Sequence, residues 1–273
     1  MTLAGSQSPR VWWCLSGLLA FLPLHAAGRT GRGGAAAGTS VMDRVVSSYT
    51  PTLRALLHVR RSTRAPDRAA GRVLVVAMPK TPGANDLPAA VGEAALLARL
   101  FQGQVRILTE QEATVAAVLA KLPLYPWTHF ACHASSDVAN PSTSHLLIHG
   151  EQGGSREQHS YALTVLEIAK LRQDADLAFL SACATAVPGL ALPDEVIHLA
   201  SAFQLAGYRH VIATLWPVYD VAAAQIAEGV YNTLAPTETA EGSARALHAA
   251  STSLRARYPS RPSVWAAHVH HGA

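Results

Sequence analysis

The sequence predicts an α/β fold built on a mainly parallel sheet with helices on both faces. Short apolar runs recur along the chain, too short for helices and bounded by turn residues. They alternate with longer segments of helical spacing, the pattern of successive βαβ units. The chain has 273 residues, 49% hydrophobic and 15% charged, enough to bury a large core.

The N-terminal stretch after Arg10, from Val11 to Gly28, has the charged start, apolar run and small-residue end of a secretory signal. The bulky Trp12-Trp13 pair, the breaks at Ser16-Gly17 and Pro23, and His25 before the small residues argue against that. The run is also too short and broken to span a bilayer. The expectation is a strand, a turn at Ser16-Gly17 and a second buried segment, with Trp12, Trp13 and Trp265 as core anchors. Residues 28–40 are Gly/Ala-rich and read as a flexible loop.

Val41 to Ser48 suits a strand or a short helix. Residues 51–59 follow with helical spacing at Leu53, Leu56 and Leu57, and 60–71 is a charged loop. Arg72 to Met78 is an uninterrupted, β-branched run, as in a parallel strand buried on both faces. Pro88 to Phe101 predicts a helix burying Val91, Ala95, Leu96 and Leu100. Val105–Leu108 is a strand, Glu112–Leu122 a helix and Trp127–Cys132 a strand running into His133. Leu146–Ile148 and Tyr161–Leu163 flank a polar tip and predict a hairpin. Leu163–Leu171 is a helix and Asp176–Leu180 a buried strand. Asp194–Ala206 is a helix, with Pro193 and Asp194 at its start and Gly207 at its end. Asp194 and Glu195 suit the positive end of that helix. His210–Leu215 is a strand, Val221–Leu234 and Glu238–Tyr258 are helical, and Val264–Val269 is a last strand. His270-His271 reads as a solvated tail.

Composition excludes several functions. The net charge of +4 comes from scattered Arg with no basic run, so nucleic acid is not an expected partner. No phosphate-cradling glycine pattern follows any strand, so no nucleotide cofactor is expected. Three cysteines without regular spacing argue against a disulfide framework and suit a reducing, cytoplasmic setting. No membrane association is expected.

Two strands that the βαβ order makes neighbours end in chemistry. One runs into His133, the other into Ser181-Ala182-Cys183-Ala184-Thr185. In a parallel sheet both ends lie on one edge, where ligands of open α/β sheets bind. A thiol becomes a strong nucleophile as the thiolate, and an imidazole can take its proton. Small residues after Cys183 let backbone N–H groups approach a carbonyl oxygen. Read alone, Cys183 is more often a small buried hydrophobe, as free Cys usually is. His129 shares a face with Ala131 and His133 and suits either support of His133 or a satisfied core position. Cys132 points the other way, into the packing. His129, Cys132, His133 and Cys183 fit no tetrahedral zinc spacing, so no metal is expected.

The His-to-Cys spacing of 50 residues matches the caspase spacing, although Ser-Ala-Cys-Ala-Thr is not the caspase signature. Further motifs occur in order: Trp12-Trp13-Cys14, Pro23-Leu24-His25-Ala26-Ala27-Gly28, Ser47 to Leu53, His129 to Ala134, Leu180 to Cys183, Ala206 to Trp216, and Val264 to Val269. Together they resemble the CHAT family, caspase-like peptidases related to separase and often joined to TPR repeats.

The resemblance covers nearly the whole chain. It implies a caspase-like three-layer sandwich and one domain over 1–273, with 1–59 as its N-terminal portion and 72–273 as the caspase-like core. It implies a cysteine endopeptidase with His133 as base and Cys183 as nucleophile, acting on a protein or peptide without a cofactor. Backbone N–H groups of Ala134 and Cys183 would form the oxyanion hole. Ala134 stands where relatives often have Gly, which keeps the N–H but reduces backbone freedom. The specificity pocket would involve Ser181 and residues 215–220. Neither place holds the Gln or Arg with which caspases grip Asp, so no preference for Asp is expected. Asp137 and Asp220 would favour a basic residue; a hydrophobic pocket walled by Trp216 is the other reading. The family's TPR region has no counterpart in these residues, so the chain reads as a standalone domain or part of a longer product, with a TPR or other regulatory partner elsewhere. The alternative function is a catalytically weak regulatory or scaffold module on the same fold.

Overall fold

The computed structural model describes residues 8–28, 40–61, 72–81, 84–137, 140–150, 162–182 and 198–273. The strands are β1 (Arg10–Trp13), β2 (Val46–Tyr49), β3 (Val73–Ala77), β4 (Val105–Thr109), β5 (Trp127–Ala131), β6 (His133–Ser135), β7 (His145–Leu147), β8 (Ala162–Thr164), β9 (Ala175–Ser181), β10 (Tyr208–Thr214) and β11 (His268–Gly272). The α-helices are α1 (Leu53–Arg61), α2 (Ala89–Leu100), α3 (Val115–Lys121), α4 (Val165–Lys170), α5 (Leu199–Ala206), α6 (Asp220–Leu234), α7 (Ser243–Arg257) and the single turn α8 (Pro262–Trp265).

Eight strands form one sheet in the order β1-β2-β11-β10-β9-β5-β3-β4. The block β10-β9-β5-β3-β4 is parallel throughout, and β11 runs antiparallel to β10. The second sheet, β6-β7-β8, is small and antiparallel. The predicted hairpin is therefore present, and β6 adds a third strand to it. Phe130, Leu180, Val211, Leu146 and Phe203 pack in one core layer; Trp127, Phe179, Ile212, Ile226 and Tyr231 pack in the other. The predicted mainly parallel α/β sandwich is what the chain forms. Its continuous apolar strands are those buried on both faces.

Several expectations need correction. The segment after β1 is a 3-10 turn (Gly17–Phe21) that leaves Leu18 75% and Leu19 53% exposed, so it is not buried. A five-residue turn spreads its side chains around the axis and cannot turn all of them inward. Trp12 and Trp13 are only half-buried: Trp12 donates to the Gly272 carbonyl at 2.9 Å and lies under the Arg10 and Arg60 guanidinium groups. Trp265 is buried as expected.

Helix α2 buries Ala90, Glu93, Ala94 and Leu97, while Val91 stays 58% exposed. Two stripes of helical spacing compete here. The stripe ending in Phe101 wins because Phe101 packs edge-on against Trp127 and Tyr231. The last strand is β11, after a turn begun by Pro262, and His270 and His271 are buried within it. Helix α5 begins at Leu199, capped by His198, whose Nδ1 accepts from Ser201 N at 3.1 Å. The expected start at Asp194 and Glu195, the loop at 29–39 and the hairpin tip at 151–160 lie outside the described residues.

Candidate active site

Strands β5 and β9 are hydrogen-bonded neighbours, with Ala131 opposite Ser181. At Cys132 the chain bends out of the large sheet into β6. That bend carries His133 to the carboxyl edge of the parallel block, beside Ala182, the last described residue of its segment. A narrow cleft opens there. His133, Ser181, Ala182 and Asp220 line it, together with Leu87, Glu93, Thr214 and Val218. Cys183 follows Ala182 directly and lies outside the described residues.

The His133 imidazole is anchored. Its Nε2 lies 2.6 Å from the carbonyl oxygen of Asn85, in the loop between β3 and α2. A carbonyl only accepts, so Nε2 carries the proton of this bond. In the neutral ring Nδ1 is then the basic nitrogen. Nothing in the residue type of Asn85 signals this role, because a backbone atom plays it.

Behind the cleft lies a buried polar group that sequence reasoning missed. Glu93 is 3% exposed. Its Oε1 accepts from Ser181 Oγ at 3.1 Å. Its Oε2 lies 2.9 Å from His129 Nε2, at ion-pair range but off the line of an ideal hydrogen bond. His129 Nδ1 lies 3.1 Å from the Tyr231 hydroxyl. Burial, reinforced by the Glu93 carboxylate, pushes that hydroxyl well above the ordinary phenol range, so it stays a donor. A carboxylate on the apolar stripe of a predicted helix is the signal that would have found Glu93.

Of the other expected site residues among those described, Asp220 lines the cleft while Asp137, Trp216 and Ala134 do not. Asp220 opens α6, and its Oδ2 accepts from Ala89 N at 2.8 Å, capping α2. Asp137 does not line the cleft; its carboxylate accepts from Asn140 N and Thr143 Oγ1 at 2.9 and 3.1 Å. Trp216 does not line it either and donates to the Ser263 carbonyl at 2.9 Å. Ala134 is half-buried in β6, opposite Leu146. Cys132 is buried in the core layer of Phe130 and Leu180 and is also among the residues lining the cleft. Thr214 Oγ1 donates to the Ala182 carbonyl at 2.7 Å, fixing the end of β9 against β10. Among the described residues no cluster of three His, Cys, Asp or Glu side chains is arranged to hold a metal, and no helix is long and apolar enough to cross a membrane.

The CHAT domain model matches residues 2–273. The chain belongs to the CHAT domain family. Its fold is that of caspase-like cysteine proteinases. The Arg-specific cysteine proteinase gingipain R (RgpB) of Porphyromonas gingivalis superposes with a TM-score of 0.59 at 13% identity. That match covers 91% of this chain and 58% of the gingipain chain. Separase in the Saccharomyces cerevisiae separase–securin complex superposes with a TM-score of 0.57 at 15% identity, over 85% of this chain and 14% of the separase chain. This CHAT domain thus spans less than two thirds of either neighbour. No curated protein matches the sequence.

Proposed function

We propose that this CHAT domain is a cysteine endopeptidase with a His133–Cys183 dyad. The observation that carries the reading is the anchored imidazole: Asn85 holds Nε2–H, which leaves Nδ1 as base in a cleft floored by Ser181 and Ala182. In sequence, His133 and Cys183 each come two residues after the paired Ala131 and Ser181. In this reading Nδ1 of His133 takes the thiol proton and the Cys183 thiolate adds to a peptide carbonyl carbon. Backbone N–H groups of Ala134 and Cys183 donate to the oxyanion of the tetrahedral intermediate. As the intermediate collapses the C–N bond breaks, and the leaving amine takes the proton from His133. Water, deprotonated by His133, then hydrolyses the thioester and restores the thiol.

The cleft supports a preference for a basic residue before the cleaved bond. Asp220 lines it, and among the described residues no Lys or Arg does. The Arg-specific gingipain shares the fold. A reducing, cytoplasmic setting suits a thiolate enzyme, and regulation falls to a partner or sensor region, as TPR repeats supply in the family.

The test is labelling by peptides bearing a thiol-reactive electrophile, with Arg, Lys or Asp before it. Wild type and Cys132→Ala are expected to label, and Arg or Lys probes faster than the Asp probe. Cys183→Ala should not label, and His133→Ala should lose more than about 10³-fold in rate. Labelling that persists in Cys183→Ala, or is lost only in Cys132→Ala, overturns the dyad. A folded wild type that no probe labels would leave the regulatory-module reading. Faster labelling by the Asp probe would overturn the basic preference alone.

A further inference from the structure

We propose that Glu93 is a positioning residue, whose single carboxylate fixes the two strand ends of the dyad relative to each other. The inference rests on the peptidase reading above. One carboxylate oxygen accepts from Ser181 on β9, two residues before Cys183. The other faces His129 on β5, four residues before His133. Through His129 the chain of contacts continues to the Tyr231 hydroxyl on α6. Thus α2, β5, β9 and α6 meet at one side chain directly behind the cleft.

The helix that delivers Glu93 is itself held in register. Asp220, the first residue of α6, accepts from the first N–H of α2. A sliding motion of α2 along the sheet would break this cap and both carboxylate contacts. Ala182 is tied on its other side by Thr214. The segment entering Cys183 is thereby clamped from α2 and from β10.

Packing alone does not call for a carboxylate here. Its neighbours on the buried face of α2 are Ala90, Ala94 and Leu97, an apolar stripe that a Met or Leu would complete. Burying a charge is costly, and apolar replacements of buried ion pairs are often neutral or stabilising. What an apolar side chain cannot supply is a hydrogen bond to one strand and an ion-pair-range contact to the other. A dyad depends on such placement, since an error near 1 Å costs about 100-fold in rate.

The experiment compares Glu93→Met, Glu93→Gln and Ser181→Ala with wild type, each normalised by active-site titration. The substrate is a fluorogenic peptide with the basic residue the wild type accepts. Glu93→Met is expected to keep the melting temperature and KM of wild type but to lose about 10- to 100-fold in kcat. The pH limbs of kcat/KM should move as well, because the spacing of the dyad sets its coupled titration. Ser181→Ala, which removes one contact of two, should fall between. Glu93→Gln retains shape and Ser181 contact and decides the matter if Glu93→Met does not fold. A purely structural Glu93 would lower the melting temperature while leaving kcat per titrated site and the pH profile unchanged, and that result overturns the proposal. If Cys183→Ala and His133→Ala are inactive while the Glu93 variants match wild type, only the positioning role fails. Activity that survives in Cys183→Ala overturns the dyad and this role together.

Discussion

Unfolding at low pH is expected to be steep, with the urea midpoint falling sharply as pH drops below about 6.5. The cause is a set of buried histidines around β11. His25, His268 and His271 are each lowered by burial to about 4, and His210 to about 3. Burial also holds His198 and His270 well below the usual histidine range. These six are neutral in the native state at pH 6. In the unfolded chain each titrates near 6.5. Between 6.5 and about 4 the unfolded state therefore binds more protons, and stability rises with pH. The contribution is complete above 6.5 and is lost as pH falls through that window. Each such group is worth up to about 1.4 kcal/mol per pH unit there. Against a total stability of about 5–15 kcal/mol, a few of them suffice to unfold the domain near pH 5.

The geometry explains why these sites resist protonation. His210 Nδ1 lies 3.1 Å from His270 Nε2, and the Arg10 guanidinium lies 3.4 Å from His270 Nδ1. A proton on His270 would sit between a second imidazole and a fixed cation. His271 has neither ring nitrogen hydrogen-bonded and packs against the rings of Tyr49 and His198. Because β11 joins β2 to β10, its loss would detach β1 and β2 from the parallel block. Potentiometry at pH 5 should register an uptake of several protons on unfolding. His271→Phe should remove about one of them and flatten the pH slope without lowering stability at pH 7. A urea midpoint that is flat from pH 7 to 5 would contradict the whole account.

The same histidines show where sequence reasoning stops. Residues 268–272 read His-Val-His-His-Gly, and polarity made the end of that stretch look like solvated tail. Inside the sheet, a neutral imidazole behaves as a half-apolar ring, which no periodicity reveals. By contrast, Val73–Ala77 and Ala175–Ser181 carried their own assignment, since continuous apolar runs suit strands covered on both faces. The neighbour relation of β5 and β9 followed from the order of βαβ units and brought the His133 strand beside the Cys183 strand. Glu93 was hidden because its partners, Ser181 and His129, are 88 and 36 positions away. The anchor of His133 was hidden because a main-chain carbonyl has no sequence signature.

Gly207→Ala is expected to cost more than about 3 kcal/mol and to leave the domain largely unfolded at 37 °C. Gly207 ends α5 with φ +111. An ordinary left-handed residue pays about 1–2 kcal/mol for its Cβ, but here space is the larger problem. A Cβ would meet the Gln173 carbonyl oxygen at 1.8 Å and its carbon at 2.7 Å. Neither segment can retreat. Gln173 N donates to the Ala206 carbonyl at 2.7 Å, and Ala175 N to the Gly207 carbonyl at 3.2 Å. Moving apart would break both bonds at the point where β9 and β10 begin pairing, Ala175 opposite Tyr208. The displacement would pass along β9 to Ser181 and Ala182 at the cleft. Gly103 is the control: its φ is +73 and nothing lies within 4 Å of its Cβ position. Gly103→Ala therefore carries only the conformational cost, and should shift the urea midpoint modestly. If the two variants are destabilised equally, the clash at Gln173 relaxes freely, and the packing between the α5 end and the entry to β9 is looser than these distances require.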